Sequence, residues 1–247
     1  MTFIEKKGVL FLKTLIIIPA YNEQECIKKV VENLIVNYSE FDYIVINDCS
    51  SDNTKSLLET NNYNYIDLPV NLGIGGGVQT GYKYAMEKGY DIAVQMDGDG
   101  QHDPKYIEKV IEHIKQGSAD IVIGSRFIEK EGFQSSILRR LGINFLSALI
   151  NLVSGVKVKD VTSGYRAVNR KFIEIYAQEY AQDYPEPEAI VNAAMYNARI
   201  LEYPVIMSER SGGISSISSL KSIYYMIKVS IAIILYRITF DKRRTKA

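Results

Sequence analysis

Residues 91–104 read Asp-Ile-Ala-Val-Gln-Met-Asp-Gly-Asp-Gly-Gln-His-Asp-Pro, and this stretch decides the fold. The apolar residues 92–96 predict a buried strand, and the glycine-spaced acidic residues after them predict a tight loop. Pro104 is well placed to open the next helix, because proline is favoured at the first helical position. The stretch therefore predicts a strand, a polar loop and a helix in succession.

The loop has the composition of a site for a divalent metal. Asp97 and Asp99 alternate with glycines, which let the backbone turn tightly and approach a ligand closely. Two carboxylates suit Mg2+ or Mn2+, ions that also take phosphate oxygens and water, and Gln101 could add a neutral oxygen. An Asp-Gly-Asp turn also arises from backbone preference alone. The end of a central strand favours the metal, because open α/β sheets bind ligands there.

Strands and helices alternate along the chain. Apolar runs at 15–18, 43–46 and 121–123 each lead into polar or glycine-containing residues, and apolar residues at helical spacing follow several of them. Alternation of this kind predicts an α/β fold with a mostly parallel central sheet and helices on both faces.

Composition excludes several classes of protein. The 247 residues carry 29 Lys and Arg against 29 Asp and Glu, so no overall charge would attract nucleic acid. Cys26 and Cys49 are too few for a disulfide framework and suit a reducing compartment. His102 and His113 lack a Cys/His partner set, so no zinc site is predicted. The apolar run 9–12 is too short for a signal-peptide core, and we expect a cytoplasmic protein.

The glycine-rich segment 73–77 admits two interpretations. Its spacing is not that of a dinucleotide fingerprint. Bare N–H groups at a helix start could face a phosphate, since helix N-termini favour anions. Equally, the glycines could allow another segment to pack closely against the helix.

A broad apolar stripe over residues 135–153 predicts a helix headed by two arginines, Arg139 and Arg140. Arginine forks fit phosphate oxygens, and an apolar helix beside them would suit a lipid phosphate whose tail stays in the membrane. A core helix with a solvated basic start is the other interpretation.

The C-terminal segment 217–247 predicts an amphipathic helix with a basic end, appended to a main domain of residues 1–216. Its longest uncharged run, 229–236, is far shorter than the roughly 20 residues that span a bilayer. The helix could lie on a membrane surface rich in anionic lipid, or pack against the domain or another subunit.

Six motifs occur in the order of one known family. They are Ile-Pro-Ala-Tyr-Asn-Glu at 18–23, Asn-Asp with Ser-Asp at 47–52, Asn-Leu-Gly at 71–73, Asp-Gly-Asp-Gly-Gln-His at 97–102, Gly-Ser-Arg at 124–126 and Thr-Ser-Gly-Tyr-Arg at 162–166. Together they resemble the family 2 glycosyltransferases of GT-A fold, in the branch of the dolichyl- and polyprenyl-phosphate sugar synthases. The resemblance extends over residues 13–240.

The resemblance implies a nucleotide-sugar donor, Mg2+ or Mn2+, and inversion at the anomeric carbon. The implied donor-binding residues are Pro19, Tyr21, Glu23, Asp48, Asp97 and, on a mobile loop, Arg210, and the implied metal ligands are Asp97, Asp99 and Gln101. The implied acceptor-binding residues are Arg126, one of Arg139 and Arg140, Ser163 and Arg166. We expect Asp99 and Arg126 to act in catalysis. If the acceptor is a sugar hydroxyl, a base is also needed, and Glu186 or Glu188 is the candidate.

We therefore expect a hexosyl- or hexosaminyltransferase on the inner face of the cell membrane, acting in cell-envelope polysaccharide biosynthesis. The acceptor would be a polyprenyl phosphate or a lipid-linked glycan, and a UDP-sugar is favoured over GDP-mannose. A homo-oligomer is possible. One alternative is a sugar-phosphate nucleotidylyltransferase. Such enzymes have a glycine-rich loop with a basic residue directly after the first strand, whereas this chain has Pro-Ala-Tyr-Asn-Glu at that position, residues 19–23. The other is a non-catalytic nucleotide- or carbohydrate-binding module on the same fold.

Overall fold

One seven-stranded sheet forms the centre of the protein in a computed structural model. The structure describes residues 12–183, 185–209 and 219–244; within the last range it describes side chains only for residues 224–240. The strands are β1 (Thr14–Ala20), β2 (Asp42–Asn47), β3 (Tyr65–Asp67), β4 (Ile92–Gln95), β5 (Ile121–Ser125), β6 (Arg166–Asn169) and β7 (Ile200–Pro204). The helices are α1 (Ile27–Asn37), α2 (Thr54–Thr60), α3 (Gly73–Glu87), α4 (Ile107–Lys115), α5 (Ile137–Ser154), α6 (Arg170–Gln178), α7 (Pro185–Met195) and α8 (Ser219–Arg244).

The sheet order is β3-β2-β1-β4-β6-β5-β7. Every residue of β1 is buried, as expected for a run of β-branched residues covered by helices on both faces. Strand β1 pairs in parallel with β2 and β4, so the polar residues that follow these strands meet at one edge. The mixed α/β fold with a mostly parallel sheet is confirmed.

Strand β6 runs against its neighbours. It pairs antiparallel with β4 on one side and with β5 on the other. The residues just before β6, 162–165, therefore lie beside those that follow β4 and β5. Because β6 is reversed, the loop before it shares one edge of the sheet with the acidic loop after β4 and with Arg126, which follows β5.

The glycines of α3 serve close packing. Helix α3 begins within the glycine run, at Gly73, and the Gly75 N–H donates to the Gln182 carbonyl at 3.0 Å. A Cβ on Gly75 would lie 1.9 Å from the carbonyl oxygen of Ala181. The structure therefore supports the interpretation that these glycines allow close packing, here between α3 and the backbone of residues 181–182.

Helices α5 and α8 pack on the core by one face and leave another exposed. In α5 the buried residues are Ile143, Leu146 and Ile150, and in α8 they are Tyr225, Val229 and Ile233. The exposed apolar side chains, here called the apolar surface, are Ile137, Leu138, Leu141, Phe145 and Leu152 of α5 and Tyr224, Ile227, Ile231, Ile234, Leu235 and Ile238 of α8. Among the described helices, α5 is the one whose length and composition would suffice to cross a membrane.

Candidate active site

A cleft of about 1350 Å³ opens at the carboxyl ends of the parallel strands. Six of the residues expected to bind donor or metal line it: Pro19, Tyr21, Glu23, Asp48, Asp97 and Asp99. Arg139 and Glu186 line it as well, along with Leu138 and Leu141 of the apolar surface. The cleft thus joins the two acidic residues after β4 to the start of α5.

The loops after β1 and β2 are tied together by hydrogen bonds. The Asn22 N–H donates to Ser50 Oγ at 3.0 Å, and Asn22 Oδ1 accepts from the Ser51 N–H at 2.8 Å. Next to them, the Glu23 N–H donates to Thr54 Oγ1 at 2.9 Å. Asn22 has a left-handed backbone with φ of 57°, which asparagine tolerates better than most residues. The wall that carries Tyr21 and Glu23 is therefore held in place before any ligand binds.

Asp48 connects β2 to the start of α3. Its Oδ1 accepts from the Leu72 N–H at 2.7 Å, and its side chain is nearly buried. Burial raises the pKa of Asp48, while the backbone hydrogen bonds from Leu72 and Gly73 act in the opposite direction. Tyr21 is half exposed across the cleft, where a flat ring face is available to a ligand.

Asp97 is held from three sides. Its backbone N–H donates to His102 Nδ1 at 3.0 Å, and Gln95 Nε2 donates to its Oδ1 at 3.4 Å. Gly164 lies against the carboxylate, since a Cβ there would approach its two oxygens to 2.8 and 2.9 Å. No lysine or arginine among the described residues forms an ion pair with Asp97, so its negative charge faces the cleft without a cationic partner there.

The acidic loop has the donor set of a magnesium or manganese site. Asp99 is nearly buried and its Oδ1 accepts from the Gln101 N–H at 3.0 Å. Within the described ranges no three His, Cys, Asp or Glu side chains converge as a closed metal cage. An open pair of carboxylates fits Mg2+ or Mn2+, which complete their shells with phosphate oxygens and water.

Gln101 is engaged with a neighbouring segment. Its Nε2 donates to the Ser208 carbonyl at 3.2 Å, and the Ser208 N–H donates to the Gln101 carbonyl at 3.1 Å. Gln101 is absent from the cleft lining. Its predicted role as a metal ligand would require the amide oxygen to turn toward Asp97 and Asp99.

Arg126 forms a buried ion pair with Asp160. Its Nε donates to Asp160 Oδ2 at 2.7 Å and its Nη2 to Asp160 Oδ1 at 2.6 Å, with Thr162 Oγ1 at 3.1 Å from Nη2. The two side chains are 8% and 0% exposed. Arg126 does not line the cleft, whereas its neighbour Thr162 does. The structure thus places the Arg126 fork on Asp160, so direct contact with an acceptor would need this pair to open.

Arg139 and Arg140 have different surroundings. Arg139 lines the cleft, and its side-chain N–H groups make no hydrogen bond or ion pair with the described residues. Although the side chain is exposed, partial enclosure of its guanidinium and then the charge of Arg126 lower its pKa; arginine nevertheless stays protonated in proteins. Arg140 instead stacks on Phe127, with its guanidinium carbon 3.3 Å from the ring centroid.

Ser163 and Arg166 lie beneath the cleft. Ser163 is buried, and its Oγ accepts from the Tyr165 N–H at 3.2 Å. Arg166 is also buried; its Nη2 donates to the Ser163 carbonyl at 2.7 Å and its Nη1 to the Glu186 carbonyl at 3.3 Å. Both residues therefore hold the backbone of the loop before β6 and of the start of α7.

The two candidate bases separate onto different surfaces. Glu186 lines the main cleft; burial raises its pKa, Arg166 lowers it, and the charge of Asp97 raises it. Glu188 lines a second cavity of about 180 Å³ between α6, α7 and α8. Burial raises the pKa of Glu188 to about 7. Residues two apart on a helix do not share a face, so only Glu186 is placed beside the acidic loop.

Arg210 lies outside the described residues, so its expected place on a closing loop stays a prediction. Three residues that contribute to the site had no role predicted for them from the sequence: Asp160, Gly164 and His102. Asp160 and Gly164 lie in or next to the motif at 162–166, and His102 ends the motif at 97–102. Their positions in or beside these motifs indicated that they could matter for the site. Only the folded structure shows which residues they contact.

The family model for Glycosyl transferase family 2 matches residues 15–176. The chain is a family 2 glycosyltransferase. A Methanococcus voltae relative of this glycosyltransferase, named UDP-N-acetylglucosamine–dolichyl-phosphate N-acetylglucosaminyltransferase, is 34% identical over 77% of the chain and 83% of the relative. The Micrococcus luteus undecaprenyl-phosphate mannosyltransferase is 29% identical over 84% and 88%. The resemblance to the polyprenyl-phosphate sugar synthase branch is confirmed.

Solved structures show the same fold. Glucosyl-3-phosphoglycerate synthase from Mycobacterium tuberculosis, in complex with Mn2+, UDP and phosphoglyceric acid, superposes with a TM-score of 0.68. It is 18% identical to this glycosyltransferase, and the match covers 92% of this chain and 78% of that one. A complex of the same synthase with Mg2+ and UDP has a TM-score of 0.65. The GT-A fold is thereby confirmed.

Proposed function

We propose that this glycosyltransferase moves a sugar from a nucleotide-sugar donor to a polyprenyl phosphate at the inner face of the cell membrane, in cell-envelope polysaccharide biosynthesis. One observation carries the proposal. A single cleft is lined by Asp97 and Asp99, by Arg139, whose guanidinium has no ion-pair partner among the described residues, and by exposed leucines of the apolar surface. A metal site, a phosphate-binding cation and an apolar approach are what a sugar diphosphate and a lipid phosphate together require.

The donor half of the cleft would bind the nucleotide diphosphate. The nucleoside would contact Pro19, Tyr21, Glu23 and Asp48, and the divalent metal would be held by Asp97, Asp99 and Gln101. When bound, Mg2+ or Mn2+ would stabilise the negative charge that develops on the departing diphosphate. The protein's own contribution is the fixed position of the carboxylates, because the loops that carry them are tied to their neighbours before the donor arrives.

The acceptor half would bind a phosphate monoester through Arg139. Such a phosphate is anionic near neutral pH, so correct placement matters more than removal of a proton. The Arg126–Asp160 pair would position the loop with Thr162, and Ser163 and Arg166 would support it from below. Attack from the side opposite the departing diphosphate would invert the anomeric centre.

The favoured donor is a UDP-sugar. Support comes from the name of the Methanococcus voltae relative and from the UDP in the similar solved structures. The Micrococcus luteus relative is named a mannosyltransferase, which makes GDP-mannose the comparison donor. Contacts in the pocket determine whether the sugar is a hexose or an amino sugar, and a comparison of donors would identify which of the two is transferred.

A second acceptor class has one observation in its favour. Glu186 lines the cleft, and its raised pKa makes it a stronger base than an exposed carboxylate once it is ionised. A sugar hydroxyl on a lipid-linked glycan needs such a base, whereas a lipid phosphate does not. Glu186→Gln therefore separates the two acceptors, because it would abolish transfer only to a hydroxyl.

The apolar surface would lie at the membrane. Its α5 part borders the cleft through Leu138 and Leu141, so a lipid headgroup in the cleft would have its chain next to exposed apolar side chains. Helices with one apolar face bind at the boundary between headgroups and acyl chains. Peripheral attachment through α5 and α8 would then bring the enzyme to its acceptor.

The test is a donor and acceptor screen. Purified protein with Mg2+ or Mn2+ is given radiolabelled UDP-N-acetylglucosamine, UDP-glucose or GDP-mannose, with and without undecaprenyl phosphate, and the mixture is extracted into organic solvent. Label in the organic phase that requires both metal and lipid phosphate, and that Asp99→Asn abolishes, is the expected result. Transfer that is insensitive to Asp99→Asn would overturn the site. If label from every donor stays in water with undecaprenyl phosphate but enters a lipid-linked glycan when native membranes are supplied, the acceptor is overturned.

A further inference from the structure

We infer that His102 is a positioning residue that fixes the backbone of Asp97, and that its imidazole acts through Asp97 and not as a metal ligand. The inference rests on the proposed metal role of Asp97. His102 is 7% exposed and lies five residues after Asp97, on the far side of the acidic turn. It is one of two histidines in the chain.

The backbone leaves the sheet at Asp97. Strand β4 ends at Gln95, and the Met96 N–H still donates to the Ile17 carbonyl at 2.9 Å. The next N–H, that of Asp97, donates to His102 Nδ1 at 3.0 Å. This hydrogen bond occupies a backbone donor that would otherwise be left without a partner where the strand stops.

The same hydrogen bond defines the state of the ring. A backbone N–H can only donate, so Nδ1 must accept and carries no proton. The neutral ring then has its proton on Nε2, an assignment that follows from the donor it faces. Nε2 lies 3.8 Å from Asp97 Oδ2, which is beyond hydrogen-bond distance. The direct contact of His102 is therefore with the Asp97 backbone.

The ring itself is fixed by stacking. Its centroid lies 5.0 Å from that of Tyr165, with 13° between the planes. Tyr165 is fully buried, and its hydroxyl donates to the Asp103 carbonyl at 3.2 Å. Tyr165 also belongs to the loop before β6, next to Gly164. The stack thereby joins the acidic loop to the segment that confines the Asp97 carboxylate from the other side.

These contacts explain why His102 would affect metal binding without touching the metal. With the Asp97 backbone held by His102 and its carboxylate confined by Gly164, the side chain has little freedom to turn away from the cleft. Residues that orient metal ligands typically change metal affinity by about 10- to 100-fold when replaced. A ligand role for Nδ1 is excluded while it accepts from Asp97, because a metal would need the same lone pair.

Two variants of similar size test the inference. In His102→Asn the amide oxygen stands where Nδ1 was and can accept from Asp97. In His102→Gln the oxygen extends toward the place of Nε2. We would measure Mn2+ binding in the presence of UDP by electron paramagnetic resonance, together with Tm. The Gln variant should bind Mn2+ about 10-fold more weakly, and the Asn variant within about threefold of the unaltered chain. Both should lose similar Tm, because both lose the stack.

Equal Mn2+ affinities for the Asn and Gln variants, or an unaltered affinity in the Gln variant, would overturn the inference. Asp97→Asn distinguishes this failure from that of the proposed function. If Asp97→Asn abolishes Mn2+ binding while both His102 variants retain it, only the role of His102 is wrong. If Asp97→Asn binds Mn2+ like the unaltered chain, the proposed metal site is wrong and the inference fails with it.

Discussion

Gly164 and Asp97 lie in such close contact that a single added carbon would separate them. A Cβ on Gly164 would come within 2.8 and 2.9 Å of the two Asp97 carboxylate oxygens and 3.1 Å of Gln95 Nε2. The two distances to the carboxylate oxygens are shorter than real Cβ contacts, so the carboxylate would have to move. The close packing of the acidic loop after β4 thus explains the glycine of the motif at 162–166.

Gly164→Ala should therefore displace the Asp97 side chain. We expect at least a 10-fold loss of Mn2+ affinity and of sugar transfer, because a ligand carboxylate is shifted. The overpacking should also reduce the free energy of unfolding by about 1–3 kcal/mol. Mn2+ titration, a transfer assay and urea denaturation measure the three effects. Normal Mn2+ affinity in a folded Gly164→Ala protein would contradict the prediction.

The Arg126–Asp160 pair should contribute to stability far more than an exposed pair. Asp160→Asn leaves the buried Arg126 guanidinium without its counter-charge, and breaking a buried pair in this way costs about 3–5 kcal/mol. Glu174→Gln is the matched control, because both side chains of its pair with Arg170 are partly exposed, 39% for Arg170 and 48% for Glu174. We expect it to cost about 1 kcal/mol or less. Urea denaturation compares the two, and equal losses would show that burial of the pair is unimportant.

Arg139 and Arg140 should differ in acceptor binding. Arg139→Ala removes from the cleft a cation that has no ion-pair partner in the part of the chain that the structure describes. KM for the lipid phosphate should therefore rise by about 10-fold or more, as for loss of a charge-assisted contact worth about 1.5–3 kcal/mol. Arg140→Ala removes the contact with Phe127 and should cost about 0.5–1 kcal/mol of stability while KM stays within about twofold. Steady-state kinetics with each variant decide the matter. A larger KM effect from Arg140 would reverse the assignment.

Glu188 should make stability fall as the pH rises. Its pKa is about 7 in the folded protein against an ordinary 4.5, because burial disfavours the charged carboxylate. Between these values the folded state binds more protons than the unfolded state, so stability is full below about pH 4.5 and is lost as the pH approaches 7. Glu188→Gln has no charge to lose. Its Tm should match the unaltered chain at pH 4.5 and exceed it by about 3 °C at pH 8.

Calorimetric scans of the two proteins across this pH range test the prediction. A constant difference in Tm at every pH would mean that the substitution acts by packing alone. A higher Tm for the unaltered chain at pH 8 would mean that ionised Glu188 is stabilised in the folded state, contrary to the direction of its pKa shift.

The apolar surface should determine membrane binding. Leu152 is 83% exposed on α5, and Leu152→Glu places a charge on this surface. Partition onto vesicles that contain phosphatidylglycerol should fall by about 10-fold, since an apolar side chain of this size gains about 1.5–3 kcal/mol on burial. Val36→Glu is the control, because Val36 is 75% exposed on α1, away from this surface. Equal partition of the two variants in co-sedimentation would contradict the membrane role.

Much of the fold followed from local patterns. The fully buried β1 and the amphipathic α4 were predictable because continuous and periodic apolar runs report burial directly. The reversed direction of β6 was not predictable, because the sequence of a four-residue strand does not specify its direction in the sheet. Its direction depends on pairing with β4 and β5, which are distant in sequence.

The candidate site also contains residues that local sequence patterns could place and residues whose role depends on contacts with distant parts of the chain. Asp97 and Asp99 were placed at the cleft by the rule that ligands meet the carboxyl ends of parallel strands, whereas Tyr21 was placed there only by the family resemblance. The choice between Glu186 and Glu188 needed the rotation of α7, which a helix start with two acidic residues does not specify. The commitment of Arg126 to Asp160 likewise depends on a contact between residues 34 apart.

The reversed strand also has a consequence for the order in which the protein can be made. Strand β5 pairs with β6 and β7, both of which are synthesised after it. A nascent chain can assemble β1, β2, β3 and β4 on the ribosome, but the strand that leads to Arg126 has no described partner until Arg166–Asn169 emerges. The half that would bind the nucleotide can therefore acquire its shape first, with an open strand edge that chaperones or other chains could contact. The half that would bind lipid is completed only when this edge closes.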